Sequence, residues 1–429
     1  QQAALGWLTR DDSLKQRLFG FMADLPGLAD SPAVARRLHE ALEVSNGDAA
    51  LPPGLALVAS AAREGSLTAG WVGALARSGC LRVARQFISG STPEEAIEAV
   101  LRLRRAGMAF TLDVLGESVR AEATARAHQE LYIRLVEHLA ADASRWPGIP
   151  SIDEAPWGTL PRVNISIKLS AIVPGFDGSG RVEAVLERLR PILRAGRDRR
   201  AFINIDMEQY SVKDLTLEAY RRVLMEPEFR EWPDCGIVIQ AYLRDGYADM
   251  AGLIDWARRR GTPITVRLVK GAYWDSEVEW AGQAGRPSPV FTMKRESDAS
   301  FERVAGLMLS HAEIIRPAFA SHNVRSIAAA LAMEAALGLP SRTLEVQMLT
   351  GMGDPLKRAL VSMGQRLRVY APFGELMTGM AYLIRRLIEN TANESFLRQS
   401  FGPDAPLDRL LQSPAPSPAI PDSLSGTGG

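Results

Sequence analysis

Hydrophobic residues recur along the first hundred positions at the spacing of an α-helix. Leu14, Leu18, Phe21 and Met22 fall at i, i+4, i+7 and i+8, and Val34, Leu38 and Leu42 follow at steps of four. Each set therefore lies on one helical face. Ser31-Pro32 reads as a helix start, a capping side chain followed by a preset φ. Thr92-Pro93-Glu94-Glu95 reads as another, with acids in the first turn where the helix dipole favours them. No strand pattern interrupts residues 1–105, so an all-helical domain is predicted there.

From about residue 107 the period changes. Eight short β-rich runs alternate with long helical stretches: AFTLDVL (109–115), VNISIKL (163–169), AFINIDM (201–207), GIVIQAYL (236–243), PITVRLV (263–269), AFASH (318–322), LEVQML (344–349) and RLRVYAP (366–372). VEAVLERLRPILRAG, ADMAGLIDWARRRG and IAAALAMEAALGL are helix candidates between them. Several runs are apolar on both faces, as a parallel strand covered by helices requires. Eight β–α repeats predict an α/β chain folded as a (β/α)8 barrel over residues 106–400. A doubly wound sheet is the competing arrangement, and the count of eight argues against it. The segment 401–429 ends in QSPAPSPAIPDSLSGTGG, which has no periodicity. It reads as a linker to a further domain or as a loose tail.

Composition narrows the class. The 429 residues are 46% hydrophobic and 23% charged, which excludes disorder over most of the chain. Fifty basic and fifty acidic residues leave no formal net charge, so a nucleic-acid partner is not expected. A local basic face touching anionic lipid stays open. Two distant cysteines, Cys80 and Cys235, build neither a disulfide framework nor a zinc site, and five dispersed histidines argue against a metal. Cys235 borders an apolar run and is expected to be a buried thiol. No apolar run is long enough to span a membrane, and the first residues carry no signal-peptide pattern. The expected location is the cytoplasm, with peripheral membrane association as a further option. The missing initiator methionine fits a chain that begins inside a longer precursor.

In a (β/α)8 barrel the catalytic groups stand at the carboxyl ends of the strands. Read off the eight runs, these are Asp113, Lys168, Asp206, Gln240, Arg267 with Lys270, His322, Gln347 and Tyr370. Taken singly, a charge there can be a solvated loop residue, and His322 a packed or capping histidine. Their convergence on one rim points to a site. In AYLIRRLIEN (381–390), the adjacent Arg385 and Arg386 offer planar forks to a carboxylate or phosphate. A solvated helix face pairing with Glu389 would look the same. Gly178-Ser179-Gly180 lacks the third glycine of a dinucleotide fingerprint, since Glu183 stands there.

The segments SIKLSAI, NIDMEQY, VIQAY, RLVKGAYWDSE, ASHN, QMLTGMG, RVYAPFGE and YLIRRLIENTANESF together resemble the proline dehydrogenase domain of the bacterial PutA (proline utilization A) flavoproteins, in unbroken order over about 107–400. The helical stretch before them resembles the arm and α-domain of that family. The resemblance implies a distorted barrel that binds FAD without a Rossmann fold. It also implies oxidation of L-proline to Δ1-pyrroline-5-carboxylate, by hydride transfer from C5 to flavin N5. Electrons would pass to a membrane quinone, ubiquinone or menaquinone. A glutamate semialdehyde dehydrogenase, linked or separate, would complete the conversion to glutamate.

By motif match, the resemblance puts Arg267 near flavin N5, Gln240 at the pyrimidine end, and Asp206 and Met207 at the frame of the pocket. Val269, Lys270, Gly271, Ala272 and Trp274 follow along the same strand and loop, with Gly271 letting the backbone approach the cofactor. Lys294, His322, Asn323, Gln347, Glu389, Ser395 and Phe396 match pyrophosphate, ribitol and adenosine contacts. Arg385, Arg386 and Lys168 match the carboxylate-binding positions, and Tyr273, Leu349, Tyr370 and Tyr382 the wall around the pyrrolidine ring. Glu117 matches an acid that pairs movably with Arg385. Arg267, Asp206 and Lys168 are thus the catalytic candidates, although Arg267 could instead be scaffolding paired with Asp206 or Glu277. Ser297 and Thr350 depart from the residues expected at their positions. The family's DNA-binding segment and aldehyde dehydrogenase half are not visible. Hydroxyproline oxidation is the rival activity, disfavoured by a bulky wall at Tyr370, and a non-enzymatic ligand-binding barrel is the rival class.

Overall fold

A computed structural model describes residues 12–43, 51, 53–179, 182–377, 379, 380, 384, 413 and 414. The chain divides into two compact units, residues 1–96 with 372–401, and residues 97–371 with 402–429.

The first unit carries helices at Asp12–Asp24, Ser31–Leu42, Pro53–Ala61 and Ala69–Ala84. The second of these buries Val34, Leu38 and Leu42, the stripe its spacing predicts. Its cap lies one residue earlier than the Ser-Pro signal suggests. The Asp30 carboxylate accepts from Ala33 N at 2.8 Å, so Ser31 already stands inside the first turn. Gly73 lets the helix Ala69–Ala84 cross against the backbone of Ser31, where any side chain would overlap the carbonyl.

The second unit is a closed barrel. Its strands are β1 (Ala109–Val114), β2 (Asn164–Ile167), β3 (Phe202–Ile205), β4 (Cys235–Gln240), β5 (Ile264–Val269), β6 (Ile315–Ala320), β7 (Glu345–Leu349) and β8 (Leu367–Phe373). They follow chain order around the barrel, and β8 closes onto β1. The recorded registers are all parallel. Helices alternate with the strands, among them Glu122–Ala143, Val182–Asp198, Gly246–Arg260 and Val324–Ala336. Two helices, Trp274–Gln283 and Lys294–Leu309, follow β5. Cys235 is fully buried, and burial pushes its thiol up to about 12.

Strand boundaries depart from the apolar runs by up to three residues, most at β4 and β6. β4 stops at Gln240, although Ala241 and Tyr242 still donate to Val269 O and Lys270 O. β6 begins three residues before its apolar run, because Arg316 and Pro317 belong to it. A hairpin of two-residue strands, Glu154–Ala155 and Gly158–Thr159, precedes β2 and carries no periodicity to betray it.

The barrel interior is polar as well as apolar. Glu345 at the start of β7 is buried and accepts from Arg368 Nε at 2.7 Å and Nη2 at 2.9 Å, with Arg366 Nε 3.2 Å away. Burial alone would raise its pKa, but the two guanidinium groups outweigh that and hold it down at about 2. A carboxyl whose pKa falls on folding adds stability that is complete above the ordinary glutamate range and disappears as pH drops through its folded value. Glu345→Ala should therefore cost about 3–5 kcal/mol at neutral pH, because it strands two buried cations. Urea denaturation should show the wild-type advantage over the variant shrinking as pH falls from 5 toward 2. A variant within about 1 kcal/mol of wild type would show that the pair contributes nothing to the barrel.

Candidate active site

Polar residues at alternate positions turn into the barrel: Ser166 and Lys168 at the end of β2, Asn204 and Asp206 at the end of β3, Glu345 and Gln347 on β7, Arg368 and Tyr370 on β8. Arg267 on β5 reaches across to three of these elements. Its Nη1 donates to Asp206 Oδ1 at 2.6 Å, its Nη2 to Ser166 Oγ at 3.0 Å and its Nε to Gln347 Oε1 at 2.6 Å. With all three nitrogens engaged and 4% of its surface exposed, the guanidinium has one available pose.

Asp206 is the second hub. Besides Arg267, it accepts from Asn204 Nδ2 at 2.9 Å and from the Tyr370 hydroxyl at 2.7 Å. Lys168 Nζ lies 3.9 Å from Asp206, donates to the Tyr370 oxygen at 3.2 Å and pairs closely with Asp113. The Lys168 and Arg267 cations also approach the Tyr370 ring, at 5.9 and 5.3 Å from its centroid. Burial alone would lower the Lys168 pKa, but Asp113, Tyr370 and Asp206 hold it well above the ordinary lysine value. Burial pushes Asp113 up to about 6, helped by repulsion from Asp206 and Glu117 and opposed by Lys168. Burial, with the Asp113 and Asp206 carboxylates, keeps the Tyr370 phenol protonated.

Gln240, at the end of β4, gives its Nε2 to Glu208 O at 3.1 Å, while its buried Oε1 has no partner among the described residues. The amide thus offers a fixed acceptor to a ligand N–H. Glu208 is itself held by Ser170, whose backbone N donates at 3.1 Å and whose hydroxyl also donates. On the outer rim, Lys270 and Lys294 both pair with Asp298, the latter at 2.8 Å. His322 Nε2 accepts from Leu349 N at 3.0 Å, and Asn323 caps the helix Val324–Ala336 through Ser326 N at 3.1 Å. Trp274 Nε1 donates to Phe291 O at 2.7 Å. Gly271 adopts φ 138°, and the place its Cβ would take is filled by the Tyr242 ring. Among the described residues the glycine makes room for that ring.

The structure thus gathers Lys168, Asp206, Arg267, Gln347 and Tyr370 into one network. Of the two partners considered for Arg267, it has Asp206, whereas Glu277 accepts from Tyr210 N at 2.7 Å. Met207 is buried beside Asp206, Glu117 and Tyr273 are half-buried, and Ala272 is exposed. Tyr382, Arg385, Arg386, Glu389, Ser395 and Phe396 lie outside the described residues. The sequence marks Asp113 only as a strand-end acid and does not point to Ser166, Asn204, Glu208 or Glu345. For Ser166, Asn204 and Glu345 the signal is a polar residue two positions before another polar residue in the same strand segment; Glu208, in the loop after β3, carries no such signal.

The sequence model described as proline dehydrogenase matches residues 96–399, and that of the proline utilization A N-terminal domain matches residues 1–87. The chain belongs to the proline dehydrogenase family. It is 36% identical over 340 residues to the bifunctional protein PutA of Escherichia coli K12, covering 77% of this chain and 25% of that protein. It is 31% identical to proline dehydrogenase 1 of Bacillus subtilis 168, over 73% of this chain and 89% of that one. The crystal structure of PutA from Bdellovibrio bacteriovorus, inactivated by N-propargylglycine, superposes with a TM-score of 0.88 at 41% identity, over 96% of this chain and 41% of that one. The chain spans about a quarter of the curated PutA relatives it matches.

The Asp113 assignment is open to direct titration. A carboxyl held near 6 should show its acid C=O stretch in infrared difference spectra at pH 5 and lose it by pH 7. Because Lys168 pulls that pKa down, Lys168→Met should move the midpoint upward. A midpoint in the ordinary carboxyl range, unchanged in the variant, would contradict the pairing.

Proposed function

We propose that this chain oxidises L-proline to Δ1-pyrroline-5-carboxylate with FAD held at the carboxyl end of the barrel, and that the electrons pass on to a membrane quinone. The observation that carries the reading is the buried Arg267–Asp206–Tyr370–Lys168 cluster, beside the unpartnered Gln240 Oε1, in a chain of the proline dehydrogenase family. The donor set suits a flavin: a fixed acceptor for an N–H at Gln240, a fixed cation at Arg267, and lysines 270 and 294 for a pyrophosphate. Bound FAD would supply the two-electron acceptor for the hydride that leaves C5 of proline.

The residues then divide the remaining work. Arg267 keeps a positive charge where reduction places negative charge, and its three partners spare it any reorganisation. Lys168 and the arginine pair Arg385 and Arg386 neutralise the substrate carboxylate. Tyr370, with Tyr273, Leu349 and Tyr382, walls the ring. The second hydrogen leaves the substrate nitrogen as a proton. Asp206 already accepts from Asn204, Arg267 and Tyr370, so we assign that proton to solvent. Met207, Val269, Gly271, Ala272, Trp274, His322, Asn323, Gln347, Glu389, Ser395 and Phe396 complete the cofactor set by motif. Glu117 is assigned the movable pairing with Arg385 by motif. Among the described residues no helix is long and apolar enough to cross a membrane. A glutamate semialdehyde dehydrogenase would consume the product.

Purified protein should be yellow, and anaerobic L-proline should bleach the visible flavin band while trans-4-hydroxyproline leaves it unchanged. A colourless protein that binds no added FAD would overturn the reading, and bleaching by hydroxyproline alone would favour the rival substrate. Arg386→Met should retain flavin and raise the proline KM about ten- to a hundredfold, the worth of one charge-assisted contact. Unchanged proline kinetics would remove Arg386 from the carboxylate site.

A further inference from the structure

The opposite, amino-terminal pole of the barrel holds a cavity whose lining meets the candidate site only at Asn204 and Gln347. The first residues of β2, β3 and β7 line it, with Asp234 before β4, Arg316 on β6 and Arg366 before β8. Trp157, from the turn of the two-residue hairpin, closes one side. Its ring has the Arg316 and Arg366 guanidiniums each 5.2 Å from the centroid.

Three lining side chains carry a buried polar atom with no hydrogen-bond partner among the described residues: Trp157 Nε1, Arg366 Nη1 and Asn164 Oδ1. Two of the three are N–H donors. Arg366 is 2% exposed. An unpaired buried polar atom is costly, and three around one space are seldom left without an occupant. Asn164 can present either end of its amide at the same place, so it accommodates an acceptor as readily as a donor.

Charge selects among occupants. Arg316, Arg366 and Arg368 face the cavity against two carboxyls, Asp234 and Glu345. Just outside the lining, Arg342 and Glu334 offset each other beside Arg366. One positive charge is therefore left over around this space. Arg316 pairs with Asp234 only at 3.5 Å. The space between the strand starts and the Trp157 ring admits an occupant of only a few non-hydrogen atoms. We propose that the amino-terminal pole is a binding site for a small monoanion of the size of a halide or formate, held by Arg366 and the Trp157 N–H.

The test uses bromide as the probe on the full chain. In crystals soaked in sodium bromide, an anomalous peak should stand within contact of Arg366 in the wild type and be absent in Arg366→Met. In solution at constant ionic strength, bromide should raise the thermal midpoint of the wild type saturably, by about 1–2 °C, and leave Arg366→Met unmoved. Should Arg366→Met fail to fold, Trp157→Phe keeps the ring between the guanidiniums and removes one donor. It should weaken bromide binding about tenfold. Water density at the pole without anomalous signal would overturn the proposal. So would a peak accompanied by no saturable midpoint shift, or one unchanged in both variants, which would mark an adventitious ion only.

Discussion

The ion pair between Arg267 and Asp206 joins two strands that are not neighbours, with β4 standing between them, so it spans the interior of the barrel. Removing either partner alone would strand a charge in a medium that cannot solvate it, at a cost of about 3–5 kcal/mol. That penalty makes every surrounding choice interdependent. Ser166 and Gln347 complete the guanidinium, and Asn204 and Tyr370 complete the carboxylate. Lys168 and Asp113 then form a second pair against the same phenol. The apolar strand faces supply the low dielectric, and the inward polar residues are tolerable there only as a fully connected set.

Gln347 links this upper layer to a lower one. Its Nε2 donates to Glu345 Oε1 at 2.7 Å and its Oε1 accepts from Arg267 Nε at 2.6 Å. A carboxylate on one side and a guanidinium on the other leave the amide a single orientation. Glu345 is in turn clamped by Arg368, which also donates to Phe110 O at 2.6 Å on β1. The pose of Arg267 is thus set by residues on β1, β2, β3, β7 and β8. A barrel suits such a site because closure brings these strands together whatever their separation in sequence.

The eight apolar runs and the change of period near residue 107 were enough to read the barrel, because each strand is buried on both sides and each helix on one. What they could not carry was local. Arg316 and Pro317 mask the start of β6, and a hairpin of two-residue strands has no period at all. The Asp30 cap outcompeted Ser31 by one position. Glycine 271 could be read as conformational freedom near a ligand, but the Tyr242 ring that fills its Cβ position lies elsewhere in the chain. In the site, the identities of Lys168, Asp206, Arg267 and Tyr370 were legible from their place at strand ends. Their pairing was not, since it depends on which inward residues closure brings opposite one another. The polar residues two positions upstream, Ser166, Asn204 and Glu345, were visible in the strings NISIK, INID and EVQ, but without the pleat they had no partner to name.

The central claim is that Arg267 is a held cation serving a flavin and not merely a brace of the barrel. The two-electron reduction potential of the bound cofactor in Arg267→Met, with cofactor content measured alongside, tests it most directly. Loss of a fixed charge worth about 1.4 kcal/mol corresponds to about 30 mV in a two-electron couple, and a buried cation placed beside a flavin ring would be worth that or more. The account predicts a potential lower than wild type by at least that amount in a variant still replete with flavin. A flavin-replete variant at the wild-type potential would contradict it.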